Sequence, residues 1–423
     1  MVAELGQRSV KVALAPDCLE LGGHASRLTQ PASRDDRVLA GMLSATQRDA
    51  YLYECRTAAV RYIEGLIGAR ERGHPAYRAV LDYPLREAKG LRPAIAIATC
   101  RALGGELAEV LPTAAVFELL HNAFLVHDDI EDGSELRRHA PTLAAQLGVP
   151  LAVHTGDTML ALALGPLLDN MRLLDLGRAL RILGVVTDVM RRTVEGQALE
   201  LTWIADRRWD ITAGEYVEMV TQKTAWYTFA GPMAAGATVA EAPAQAIDEL
   251  TRFALDLGVA FQIRDDILNL GAEPSATGKE SWGDLWEGKR TLILSLFFAG
   301  AAPDDAAFAR AVLGKRRPSR GPNPESARLD RALAALGDRL GPDDQQALRT
   351  AFRDTLGEEE KSTADVARLR GVIDPQILRA ADIAADFASR ASERWASIRR
   401  TMAPSQHRDL IDSILEFTIT RER

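Results

Sequence analysis

From Ser44 to the end of the chain, apolar residues return at the three- and four-residue spacing of amphipathic helices, and no stretch of useful length alternates as a strand would. The first such segment opens at Ser44 or Thr46, either of which is a good N-cap, and runs through Tyr51, Val60, Ile63 and Ile67. A break at 83–93 ends in Pro93, a residue suited to a first helical turn, and places the next helix at Ala94–Leu103. Leu111–Val126 is an apolar helical body, followed by helical segments at 151–168 and 178–201. Thr212 and Glu215 have capping-box spacing and open a helix ahead of Lys223-Thr224. A small apolar run at 224–240, the helix Glu249–Leu270, and helices opened by Asp374-Pro375 and Pro404-Ser405 complete an all-α pattern. Residues 1–40 lack periodicity and are expected to be an irregular extension. The run 315–324, with three prolines, is expected to be an exposed, inserted loop.

Two of these apolar helices end abruptly in acid. The first gives Asp128, Asp129 and Asp132, with Asp128 and Asp132 on one face; the second gives Asp265, Asp266 and Asn269 at the same spacing, with Gln262 one turn earlier. Carboxylates crowded at the end of an apolar helix raise one another's pKa unless a cation lies among them. An oxygen-only donor set suits Mg²⁺, which takes one or two carboxylates and completes its shell with water and substrate phosphate. Cations stand at helix ends or beside these clusters: Lys89, Arg92, Arg137, Arg138, Lys223 and Lys289. Arginine grips phosphate through a planar fork and lysine as a compact charge, so together they suit two polyanions. A diphosphate leaving from metal above an apolar, water-excluding pocket is the chemistry of electrophilic prenyl transfer. His121 lies on the face of Asp128 and can donate to phosphate, although a histidine there is more often a satisfied core residue. Phe124, Phe261, Trp226 and Tyr227 read as core aromatics that could face a cation if they line the pocket.

Composition narrows the setting. The 423 residues are 47% hydrophobic with a net charge of −8, which argues against a nucleic-acid surface. Three widely spaced cysteines do not make a disulfide framework, and the N-terminus lacks a basic region followed by an apolar core. No uninterrupted apolar stretch approaches bilayer length, so a soluble protein of the reduced cytoplasm is expected. Since the two acidic clusters must meet to share metals, one all-helical domain over 41–423 is expected despite the length.

The motifs, in order, are Lys-Gly-Leu-Arg-Pro, His-Asp-Asp-Ile-Glu-Asp, Arg-Arg-His-Ala-Pro-Thr, Gly-Gln, Lys-Thr, Phe-Gln-x-x-Asp-Asp, Gly-Lys-Glu and Trp-Glu-Gly-Lys-Arg-Thr-Leu. In these the chain resembles the trans-type isoprenyl (polyprenyl) diphosphate synthases from about Tyr51 to Arg423. The resemblance implies a helical bundle around a central cavity, usually a homodimer, with three Mg²⁺ ions. It implies Asp128, Asp132 and Asp265 as metal ligands on the allylic diphosphate, assisted by Asp129 and Asp266, with Asn269 as a weaker ligand. Arg137, Lys223 and Lys289 would bind that diphosphate, and Lys89, Arg92, His121 and Arg138 would hold isopentenyl diphosphate. Thr224 and Gln262 would lie near the developing cation. Three residues depart from the pattern: Gly90 stands where a second basic residue is common, His139 where Gly is common, and Asn269 where an acid is common.

The second cluster and its following motifs resemble a geranylgeranyl-type subgroup. Phe124, one helical turn or about 6 Å before Asp128, would form the floor for the growing tail, and its neighbour Ala123 would leave room. Dimethylallyl, geranyl or farnesyl diphosphate would then be extended to a short product, most simply geranylgeranyl diphosphate. Two alternatives stand beside this. One is a terpene synthase on the same fold, against which Lys89, Arg92 and Arg138 argue; the other is a non-catalytic regulatory subunit, against which the complete first cluster argues.

Overall fold

Helix α1 (Ala45–Leu66) starts where its cap dictates. Ser44 Oγ accepts from Gln47 N at 3.3 Å, and the Gln47 side chain accepts from Ser44 N at 3.0 Å, so two otherwise unpaired backbone amides each find a side-chain acceptor. The structure is a computed structural model, and it describes residues 42–68, 73–271, 282–317, 324–336, 340–355 and 360–420. The extension at 1–40 and the Gly-Lys-Glu motif at 278–280 lie outside the described residues, as do 318–323 of the expected loop.

Helix α2 (Leu91–Ala102) begins three residues earlier than the pattern suggests. Pro93 is its third residue, where the missing N–H is still one of the amides a helix start leaves unpaired. Helix α3 (Leu107–Glu131) contains the apolar body and ends on Asp132 as its C-cap. A two-residue ribbon, β1 (Leu136–Arg137) against β2 (Ala140–Pro141), precedes α4 (Leu143–Leu147). The segment expected as one helix is two, α5 (Val149–Leu162) and α6 (Leu164–Leu173). Then come α7 (Leu176–Ala205) and α8 (Ala213–Val220), the latter opened by Thr212 and Glu215 as their spacing predicts. A ten-residue π-helix, Thr221–Ala230, leads into α9 (Gly231–Val239) and α10 (Ala244–Gly271). The remainder is α11 (Gly283–Glu287), α12 (Leu292–Phe298), α13 (Pro303–Gly314), α14 (Pro324–Leu336), α15 (Pro342–Thr355), α16 (Thr363–Ile373), α17 (Pro375–Ile398) and α18 (Gln406–Thr420).

The chain divides into two compact units: 1–198, 218–264 and 383–423 form the first, and 199–217 with 265–382 form the second. In the first, α3 is surrounded by α1, α2, α5, α6 and α9. Its Ala114, Ala115, Val116, Phe117 and Leu119 are all buried, as an all-round apolar helix requires. In the second, α16 packs on α11, α12 and α13. There Arg316 and Glu360 pair at 2.8 Å, and the stretch of chain between them holds the helices α14 and α15.

One reading of the sequence needs correction. Two stretches among the described residues, Leu107–Glu131 and Val149–Leu173, are long and apolar enough to cross a bilayer by length and composition. The first passes because it is a core helix, 78% buried across its apolar window. The second is 39% buried and is broken into α5 and α6. It leaves Leu151, Leu164, Leu168 and Leu173 exposed, and Leu176 and Leu180 on α7 are exposed as well.

Candidate active site

The end of α3 divides its paired aspartates between two environments. Asp129 is 1% exposed, and its Oδ2 accepts from the Tyr83 hydroxyl at 2.5 Å. Its Oδ1 accepts from Arg137 Nε at 2.8 Å and also from Arg137 Nη2. Burial raises the Asp129 pKa and the Arg137 guanidinium opposes it; for Arg137 the two aspartates more than offset burial and hold its charge. Asp128 is the more open member. Its Oδ1 lies 3.7 Å from Lys223 Nζ and its Oδ2 3.6 Å from Arg137 Nη2. A carboxylate flanked by two cations at ion-pair distance is held ionised, the form in which it can take a metal ion.

A turn at 82–90 and the ribbon β1–β2 are laced together by arginines. Arg86 donates to Arg137 O at 2.9 Å and to Pro141 O at 2.7 Å. Arg138 returns a bond to Tyr83 O at 3.1 Å. Arg138 and His139 both have left-handed backbone, with φ of 54° and 61°, which explains physically why Gly suits position 139.

Tyr227 of the π-helix gathers several predicted side chains. The Arg92 guanidinium lies over its ring at 4.1 Å and donates to Thr228 Oγ1 at 2.8 Å. His121 and Phe124 approach the same ring at 6.1 and 5.8 Å between centroids. His121 is therefore no satisfied core histidine: its Nδ1 is buried without a hydrogen-bond partner. Burial, then Arg92, Arg138 and Arg137, push its pKa well below the usual value, so the imidazole is neutral at pH 7 and one ring nitrogen carries a hydrogen to donate. Ala123 is fully buried beside Phe124. Lys89 is exposed, with its Nζ 4.7 Å from the Phe417 ring centre.

Lys223 and Thr224 lie in the π-helix, a wide turn common at functional positions. Gly196 makes room for it: a Cβ there would come within 2.9 Å of the Lys223 Cα and Cβ. Its neighbour Gln197 donates to Glu131 at 2.6 Å, on the last turn of α3. Gln262 lies half-buried on α10.

In the second unit, Asp266 is 7% exposed and accepts from the Tyr216 hydroxyl at 2.6 Å. Asn269 Oδ1 accepts from Asp284 N at 3.2 Å, so the amide in the fourth position holds the start of α11. Asp284, which the pattern of the sequence did not single out, faces Asp265 and Asp266. Burial raises its pKa well above the ordinary value of an aspartate, Lys289 opposes this, and Asp266, Glu287 and Asp265 reinforce it. Lys289 Nζ pairs with Glu287 at 2.9 Å. Arg290, buried over the Trp209 ring at 3.9 Å, donates to Arg208 O at 2.9 Å and Trp203 O at 3.3 Å.

Among the described residues no three His, Cys, Asp or Glu side chains converge on a closed, protein-only metal site. Mg²⁺ does not need one, because substrate phosphate supplies much of its shell. The donors at Asp128, Asp132, Asp265 and Asp266 are all hard carboxylate oxygens at helix ends, which fits that ion and not a thiolate- or imidazole-seeking one.

Residues 74–326 match the polyprenyl synthetase family. A geranylgeranyl diphosphate synthase of Saccharolobus solfataricus is 32% identical over 228 residues, covering 54% of this chain and 68% of that one. A short chain isoprenyl diphosphate synthase of Methanothermobacter thermautotrophicus is 34% identical over 226 residues, 53% of this chain and 68% of the other. Among solved structures, the geranylgeranyl pyrophosphate synthetase of Pyrococcus horikoshii aligns with a TM-score of 0.71 at 26% identity, covering 89% of this chain and 99% of that one. The polyprenyl synthase of Caulobacter crescentus, crystallised with calcium and isoprenyl diphosphate, gives 0.70 at 25% identity over 90% and 98%.

Proposed function

The chain belongs to the polyprenyl synthetase family and is a trans-prenyltransferase making a short-chain prenyl diphosphate; from that premise we propose that it condenses isopentenyl diphosphate with an allylic diphosphate to give geranylgeranyl diphosphate. The observation that carries this reading is the first cluster, an acidic pair whose buried member is locked by Tyr83 and Arg137 while Asp128 stays open beside Lys223.

In this reading Asp128 and Asp132, and likewise Asp265 and Asp266, would hold Mg²⁺, three ions in all, on the allylic diphosphate. When bound, the metal neutralises charge on the departing diphosphate. Lys223, Arg137 and Lys289 add cationic contacts to that group. Arg92, Arg138, Lys89 and neutral His121 hold isopentenyl diphosphate, whose double bond attacks as the allylic C–O bond breaks. Thr224, Gln262 and the Tyr227 ring face the positive carbon, and the released diphosphate takes the final proton, so no side-chain base is required. Asn269 is a positioning residue for Asp284 in this reading.

The number of exposed leucines on α5, α6 and the start of α7 supports a homodimer, since a partner would remove them from water. A cytoplasmic setting accords with the reduced, buried Cys55 and Cys100.

The test is incubation with Mg²⁺, isopentenyl diphosphate and, in turn, dimethylallyl, geranyl or farnesyl diphosphate, with products identified by mass. Elongation to geranylgeranyl diphosphate is expected. A hydrocarbon or alcohol from the allylic substrate alone would replace this reading by the terpene synthase one. Turnover only after a partner subunit is added would favour the regulatory one.

A further inference from the structure

Position 90 interrupts the Lys-x-x-Arg-Pro motif with a glycine, and the structure shows why no basic residue stands there. Gly90 is the buried N-cap of α2 and has φ +64°. A Cβ built on it would overlap the Cβ of Arg56 and lie 3.1 and 3.2 Å from that residue's Cγ and Cδ. Arg56, on α1, therefore fills the space a side chain at 90 would take. It is only 8% exposed. Its Nη2 donates to both Pro84 O and Arg86 O, in the turn that leads to Lys89, and its Nε is buried without a partner. Arg86 in turn holds the ribbon that carries Arg137 and Arg138.

We propose that Arg56 is a positioning residue of the isopentenyl diphosphate site, setting from a neighbouring helix the turn that presents Lys89 and the first N–H groups of α2. The motif's missing cation is thereby replaced by one that arrives from α1. Both carbonyls are met by one nitrogen, Nη2, of a guanidinium whose delocalised charge is more weakly hydrated than an ammonium's and so suits this buried position better. Its charge also bears on Arg138, whose guanidinium is pushed down to about 10 by burial, with Arg56 among the cations adding to that effect. The inference rests on the assignment of isopentenyl diphosphate to this region.

The test compares Arg56→Met and Arg56→Lys with the wild type, measuring kcat and the KM for each substrate separately, together with thermal midpoints. Wild-type elongation is the control: its absence would overturn the proposed function, whereas its presence lets the variants report on Arg56 alone. Arg56→Met is expected to raise the KM for isopentenyl diphosphate about tenfold, with kcat within about threefold and the allylic KM unchanged. Arg56→Lys, which keeps the charge and loses the planar, weakly hydrated guanidinium, is expected to raise it about threefold. Should the Met variant fail to fold, the Lys variant decides. An unchanged KM for isopentenyl diphosphate, or an equal rise in both KM values, overturns the proposal.

Discussion

The two acidic clusters share a device and differ in what surrounds it. In each, the second aspartate of the pair is buried and fixed by a tyrosine hydroxyl from elsewhere in the chain: Tyr83 on Asp129 at 2.5 Å, Tyr216 on Asp266 at 2.6 Å. The first cluster then meets cations, Arg137 and Lys223. The second meets another carboxylate, Asp284, an amide, Asn269, and one cation, Lys289, beside Asp284. The first is thus largely neutralised before any ligand arrives. The second sets three acidic side chains against Lys289, mutual repulsion that a divalent cation would relieve, and there metal affinity should respond most to a single substitution.

The largest effect expected is on the open aspartate of the first cluster. Asp128→Asn keeps the shape and removes the charge, and kcat should fall on the order of 10²- to 10³-fold with little change in the KM for isopentenyl diphosphate. Steady-state kinetics at saturating Mg²⁺ measure it, and a loss confined to KM would contradict the assignment. In the second cluster, Asp284→Asn should raise the Mg²⁺ concentration for half-maximal activity about tenfold while the saturated rate changes less. An unaltered Mg²⁺ titration would remove Asp284 from the metal's surroundings.

The first region also carries the predicted floor, for which the second has no counterpart. Phe124 packs edge-on against Tyr227. Phe124→Ala should lengthen the product by at least one isoprene unit, read by mass; an unchanged product would transfer the role to Tyr227.

The shared tyrosines can be compared directly by denaturant unfolding. Tyr83→Phe and Tyr216→Phe each leave a buried carboxylate oxygen without its donor, at about 1–3 kcal/mol. Tyr83 should cost more, because its hydroxyl also accepts from Leu143 N at 3.1 Å.

The smallest effect is a pH dependence confined to the first unit. The second unit contains no histidine. In the first, His407 is held down to about 4 by burial, then Arg101, and its Nδ1 meets the Tyr51 hydroxyl at 2.6 Å. Its folded pKa lies below the unfolded value of about 6.5. Stability from this group is therefore fully present above pH 6.5 and falls as the pH drops toward 4, where the unfolded chain takes a proton that the folded one refuses. His121 acts in the same direction. His407→Asn should flatten that acid limb in thermal scans across this range, and an unchanged slope would exclude the imidazole as its source.

The sequence by itself determined what depends on neighbours three or four residues away. The caps at Ser44 and Thr212, the apolar body of α3, and the one-face spacing of Asp128 with Asp132 are local facts of helix geometry, and they appear as the pattern predicts. The joint presence of the clusters and cations was legible for the same reason, as residue type at fixed spacing.

Only the tertiary structure decided which member of each aspartate pair is open. Tyr83 and Asp129 are 46 residues apart and Tyr216 and Asp266 are 50, and nothing local marks either tyrosine. The π-helix at Thr221–Ala230 was equally hidden, because its wider turn leaves a small, apolar sequence looking like an ordinary helix. Gly90 looked like a lost cation until Arg56 was found against it. These features depend on burial and on contacts between distant segments, where a hydroxyl or guanidinium gains its value from being removed from water, and that is a property of the folded chain and not of its order of residues.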